Sequence, residues 1–186
     1  MNLLLAGLLL WCGVHMSSAL ASGLRARLVA AMGLLPYKAC FALLIITSLV
    51  LMVFGWRAME PVIFYQPPVW GKEAAYVLVF FTFILFVAAR RMTNIKRILR
   101  HPQLTGVMLW SGGHLLANGD NRSLVLFTGI GIWAVLEIFL INRRAGTWIK
   151  PEPMPVIKDM VTVILGIVLY TVLLLLHPYL SGVKLV

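Results

Sequence analysis

A succession of apolar runs, each close to the thickness of a bilayer's hydrocarbon core, restricts this chain more than anything else in it. A helix rising about 1.5 Å per residue needs about 20 apolar residues to cross the membrane interior. Six such runs can be read, at residues 2–22, 39–56, 73–89, 102–118, 123–141 and 158–176, the third and fourth being the shortest. The chain of 186 residues is 61% hydrophobic and 12% charged, where soluble domains carry about 25% charged residues. Little material is left for a water-soluble domain. The expected fold is therefore all-α, a single-domain polytopic helix bundle over residues 1–186, set in a lipid bilayer.

The basic residues supply an orientation. Arg25, Arg27 and Lys38 follow the first run, and Arg90, Arg91, Lys96, Arg97 and Arg100 the third. Arg143, Arg144, Lys150 and Lys158 follow the fifth, while only Arg57, Lys72, Arg122 and Lys184 fall on the other side. Basic loops are retained in the cytoplasm, so both termini are expected outside it. The first run ends in Ala19-Leu20-Ala21, which looks like a secretory cleavage site. Its arginines follow the apolar stretch instead of preceding it, however, and it is read as a retained helix. A net charge of +10 would suit nucleic acid if it formed one patch. Here it is divided among short loops, with no aromatic–basic, zinc-finger or heptad pattern, and nucleic acid is not an expected partner.

The intervening segments read as loops and interfacial pieces. Pro61, Pro67 and Pro68 break any helix after the second run, and Trp56, Tyr65 and Trp70 suit an interfacial belt. Residues 92–99 place Ile95, Ile98 and Leu99 at helical spacing among Lys96, Arg97 and Arg100. This is the pattern of a short amphipathic segment lying on anionic lipid at the cytoplasmic face. Pro102 opens the fourth run at a helix start, and Asn118-Gly119-Asp120-Asn121 closes it in a turn. Glycine there is expected to take a positive φ, and Asp120 or Asn121 to cap the next helix. Pro151, Pro153 and Pro155 form an extended linker. Cys12 and Cys40 lie in or beside apolar runs, which argues against a disulfide framework, and two cysteines exclude a cysteine-rich metal site. Nucleotide loops, zinc-protease motifs and nucleophile elbows are absent, and no internal repeat stands out.

Polar side chains inside the runs are the functional candidates, because each costs several kcal/mol in hydrocarbon unless satisfied. Trp11, Cys12, His15, Ser18 and Ser22 recur at spacings that form one stripe in the first run, and Trp110, Ser111, His114 and Asn118 form another in the fourth. The two stripes are expected to face each other. His15 lies about 10 Å and His114 about 16 Å from the cytoplasmic face, while His101 sits almost at it. His101 and His114 also point about 140° apart around their helix, so a two-histidine site is better served by His15 with His114. Such a pair suits axial ligation of a b-type haem, the alternative being histidines that satisfy neighbouring hydroxyls or carbonyls. Glu137, near the depth of His15, is placed to orient an imidazole or to pair with a base such as Arg100. His177 reads as an interfacial residue. No base-and-orienter set for a serine or cysteine nucleophile is present.

Arg100-His101-Pro102, Gly106, Trp110 and His114-Leu115-Leu116-Ala117-Asn118-Gly119-Asp120, with Gly13-Val14-His15, resemble the NnrU-like membrane proteins. The resemblance runs from the first run to about Gly146. It implies a multi-pass protein of the bacterial inner membrane, associated with denitrification and nitric-oxide metabolism. Zeta-carotene isomerase resembles the same family and holds haem b through histidines to isomerise a lipophilic substrate. That implies His15 as one ligand here, with His114 or His101 as the second. A non-catalytic membrane accessory protein is the alternative. Arg100-His101-Pro102 is also similar to the isoprenylcysteine carboxyl methyltransferases, which implies an S-adenosylmethionine site. Asn142-Arg143-Arg144-Ala145-Gly146 departs from the acidic segment those enzymes carry.

Overall fold

A computed structural model describes residues 1–182, apart from the side chain of Leu180; the expectation for Lys184 lies outside them. The described chain is helical, with α1 Asn2–Leu20, α2 Ser22–Met32, α3 Leu34–Arg57, α4 Gly71–Arg90, α5 Ile95–Ile98, α6 Pro102–Ala117, α7 Asn121–Ala145 and α8 Val156–Ser181. α1, α3, α4, α7 and α8 are long and apolar enough to cross a membrane. α6 has 16 residues, which is about 24 Å at 1.5 Å per residue.

Three differences from the sequence reading shape the packing, beyond the few residues by which α7 and α8 outrun their apolar stretches. The segment between the first two runs is not a loop but holds α2. It is set off from α1 by Ala21, whose ψ of 49° is not helical, and from α3 by Gly33 at φ 87°. Just before the first break, Ser17 and Ser18 donate to the Val14 and His15 carbonyls at 2.7 and 2.8 Å, bonds that compete with the helical ladder. The polar stripe of α1 accordingly stops at Ser18, since Ser22 belongs to α2. α3 begins five residues before Ala39 because Pro36 falls in its first turn, where a missing N–H removes no helical bond. The amphipathic segment is reduced to the single turn α5, with Ile98 exposed.

The chain gathers into two compact units, Met1–Pro67 with Asn118–Thr147, and Pro68–Ala117 with Trp148–Val186. In the first, α1 packs antiparallel to α3 through small residues. Ser48 is fully buried. A Cβ on Gly7 would lie 2.7 Å from the Ser48 carbonyl oxygen and 2.8 Å from Met52, and one on Gly55 would collide with the backbone of Leu4. Lacking a hydrophobic drive between helices in lipid, such close approach supplies the dispersion contacts that hold them. α7 runs parallel to α1, with Gly129 beside Leu8, Trp133 beside Trp11 and Arg144 donating to the Ser18 carbonyl at 2.7 Å. Arg25, Arg27, Arg143 and Arg144 therefore collect at one end of this unit.

In the second unit α4 packs between α6 and α8. Thr82, fully buried, donates to the carbonyls of Leu78 and Gly106, each at 3.0 Å. The bare faces of Gly106 and Gly113 let α6 approach Phe86 and Ala75, while Gly166 of α8 meets Ile84. The two antiparallel pairings bring the α4–α5 corner to the start of α8. Asp159 there accepts from the Thr93 hydroxyl, from the Asn94 amide N–H at 2.7 Å and from Asn94 Nδ2 at 2.6 Å. Asn94 also exchanges hydrogen bonds with the backbone of Met154 in the proline linker, at 2.7 and 2.9 Å.

Gly55→Leu is expected to destabilise the protein by about 1–3 kcal/mol or more through overpacking. Gly13→Ala, whose Cβ meets nothing within 4 Å, should leave stability unchanged or raise it, by up to about 1 kcal/mol. Thermal unfolding in detergent compares the two; equal melting points would contradict the close α1–α3 packing.

Candidate functional site

His15 sits in an aromatic enclosure built by three helices of the first unit. The Trp11 ring lies one turn below it with centroids 4.3 Å apart, Trp133 of α7 stands edge-on at 4.9 Å, and Phe41 of α3 edge-on at 5.7 Å. The spacing of Trp11 and His15 puts both on one face of α1. His15 Nδ1–H donates to the Trp11 carbonyl at 3.0 Å. In the neutral ring this leaves the lone pair on Nε2, the tautomer required of a metal ligand. The indole Nε1–H groups of Trp11 and Trp133, and the Oε2 of Glu137 further along α7, are buried with no hydrogen-bond partner among the described residues. Glu137 is 7% exposed and lies one turn beyond Trp133 on α7.

His114 of α6, in the second unit, repeats this local arrangement. Its Nδ1–H donates to the Trp110 carbonyl at 2.8 Å, and the Trp110 ring lies 4.8 Å from its own. The cause is a shared pentapeptide pattern: Trp11-Cys12-Gly13-Val14-His15 and Trp110-Ser111-Gly112-Gly113-His114 both read Trp-x-Gly-x-His. The open face is shared as well, since a Cβ on Gly13 or Gly112 would meet nothing within 4 Å. Five residues are too few to show as a repeat when longer periods are sought, and the sequence reading missed them.

The remaining candidates have local structural partners. The His101 carbonyl begins α6, accepting from the Thr105 amide at 2.9 Å and the Thr105 hydroxyl at 3.0 Å. Asn118 lies just past the end of α6, and its carbonyl accepts from the Tyr65 hydroxyl at 2.8 Å. Burial, with Asp120 nearby, raises the pKa of that hydroxyl, so it remains a donor. Asp120 caps α7, accepting from the Ser123 amide at 3.0 Å and its hydroxyl at 2.6 Å. Gly119 does not take the positive φ expected of it. It is required for a different reason, because a Cβ there would collide with the Tyr65 carbonyl. This contact accompanies a short antiparallel bridge between Ile63 and Asp120, with Phe64 N–H donating to the Gly119 carbonyl at 2.8 Å. The sequence offered no alternating pattern to announce the bridge.

Glu137 does not orient His15, whose Nδ1 is held by the Trp11 carbonyl. Within its unit the cation acting on Glu137 is Arg144, two turns further along α7. Asp159 was missed as a polar anchor because its partners, Thr93 and Asn94, are more than sixty residues away in the chain. No group of three or more His, Cys, Asp or Glu side chains among the described residues is placed to hold a metal ion. Any iron here would depend on single imidazoles and on the ring of a bound cofactor, as in haem proteins.

Five apolar helices of membrane-crossing length define a multi-pass α-helical membrane protein. The chain belongs to the NnrU family, whose model, described as NnrU protein, matches residues 3–185. No curated protein and no solved structure matches it.

Two expectations follow. Glu137→Gln should melt no lower than the parent protein, because an unpartnered buried carboxylate contributes no hydrogen bond that the amide would lose; a clear fall would show that Glu137 is held by a partner. Asp120→Ala should lower stability by about 1–2 kcal/mol through loss of the α7 cap, read by thermal unfolding in the same detergent.

Proposed function

We propose that this protein is a haem-b protein of the bacterial inner membrane in which His15 and His114 supply imidazole ligands to iron, and that it serves redox chemistry linked to nitrogen-oxide metabolism. The observation that carries the reading is the local arrangement that the two rings share. Each donates Nδ1–H to the carbonyl one turn earlier and packs against the Trp of that turn. The bond fixes the tautomer and the ring plane together, so Nε2 is presented as a lone-pair donor without further reorganisation. The unpartnered indole N–H groups of Trp11 and Trp133 are suited to a carboxylate of such a cofactor, and the aromatic rings around His15 exclude water from it. Haem, when bound, supplies reversible one-electron chemistry at its iron. The proposed orientation has both termini outside the cytoplasm. It is supported by the concentration of basic residues after the first, third and fifth runs.

Protein purified in detergent from cells with ample haem should show a reducible Soret band, lost or shifted in His15→Ala and in His114→Ala and retained in His101→Ala. Folded protein without a chromophore would refute haem binding and favour the accessory reading, in which the rings only satisfy helix carbonyls. Alkaline phosphatase fused after Leu35 or Ala145 should be inactive, and active when fused after Pro67; the reverse pattern would overturn the orientation.

A further inference from the structure

The first unit contains a cavity of about 350 Å³ between α1, α2 and α3, inside the roughly 300–1,000 Å³ range of small-molecule sites. Gly13, Phe41 and Leu44 line its walls, Cys40 faces it from α3, and Arg25 and Tyr37 stand where it reaches the basic end of the unit. The interior is apolar. From Tyr37 to Leu44 it extends about 10 Å along α3. Three observations say what this cavity suits. Gly13 opens it, since a side chain at that position would point into empty space. The Arg25 guanidinium lies 5.7 Å over the Tyr37 ring and has no ion pair with a carboxylate among the described residues. Arg27 and Lys38 follow close by in the chain and add to the positive potential at this end.

We propose that this cavity binds a fatty-acid anion, with its alkyl chain between Gly13, Phe41 and Leu44 and its carboxylate at Arg25. An uncharged lipid would gain nothing from Arg25. The cavity's volume of about 350 Å³ lies at the small end of the roughly 300–1,000 Å³ range of ligand sites, which favours one alkyl chain over two. Guanidinium matches a carboxylate in geometry as well as charge. The chain would lie against Phe41, whose ring also contacts the His15 ring, but binding does not require that His15 hold haem.

The test uses the full-length protein in phosphatidylcholine nanodiscs, with radiolabelled laurate as the probe and methyl laurate as its uncharged counterpart. Laurate should bind saturably and slow alkylation of Cys40 in a Cys12→Ser background, whereas methyl laurate should compete poorly. Gly13→Leu should abolish binding by filling the cavity. Arg25→Gln should weaken laurate about tenfold, the cost of one hydrogen-bonded charge, and leave the weak binding of methyl laurate unchanged. Should Gly13→Leu fail to fold, Arg25→Gln, at an exposed position, carries the test alone. No saturable binding, equal competition by methyl laurate, or unchanged laurate affinity in Arg25→Gln would overturn the proposal. Such results would leave bulk bilayer lipid as the occupant of the cavity.

Discussion

In hydrocarbon there is no water to satisfy a backbone amide or carbonyl, and this constraint shapes nearly every polar contact in the protein. Helices satisfy their own backbones, so the chain is built from them. The polar side chains inside the helices follow the same rule. Ser17, Ser18, Ser48, Thr82, Thr105 and Thr162 all donate back to a carbonyl three or four residues earlier, and His15 and His114 do the same through Nδ1. What distinguishes the histidines is that an imidazole has a second nitrogen. Satisfying the first through Nδ1–H leaves the lone pair of the neutral ring on Nε2, the form in which an imidazole can bind a metal.

Packing in each unit depends on close backbone approach. Gly7 and Gly55 bring α1 against α3, while Gly106, Gly113 and Gly166 bring α6 and α8 against α4. Gly13 and Gly112 are glycines of another kind, with open space beyond them. Each lies two residues before a histidine. An absent side chain at a helix contact strengthens packing, whereas Gly13 and Gly112 leave open space on the side of the helix away from the imidazole two residues on. The Trp-x-Gly-x-His pattern thus combines an aromatic support, an opening and an imidazole within little more than one helical turn.

The loops reveal a division of labour. At one end of the first unit, the segment after α3 is tied to the Asn118–Asn121 turn by backbone bonds and by Asn121, whose side chain accepts from Val62 N–H at 3.1 Å. In the second unit, Asp159 holds the α4–α5 corner and Asn94 holds the proline linker. These polar clasps lie near helix ends, where charge can be stabilised by hydrogen bonds and by water. Glu137 is the exception. It lies within α7, its Oε2 has no hydrogen-bond partner among the described residues, and it stands one turn from an unpartnered Trp133 indole.

The apolar runs by themselves determined that this is an all-helical membrane chain, and they placed every long helix, because length and hydropathy alone decide whether a segment can cross a bilayer. The prolines at 61, 67 and 68 marked the break after α3, and Asp120 announced the cap of α7. Local chemistry carried these readings. Other features depended on residues far apart in the chain. Only the tertiary structure showed that Gly119 is needed for contact with Tyr65 and not for its φ, that Asp159 anchors Thr93 and Asn94, and that Trp133 and Phe41 enclose His15. It also showed that α2 is a separate helix lining a cavity. A sequence pattern reports what one helix presents on its faces; which neighbour meets that face is decided by packing.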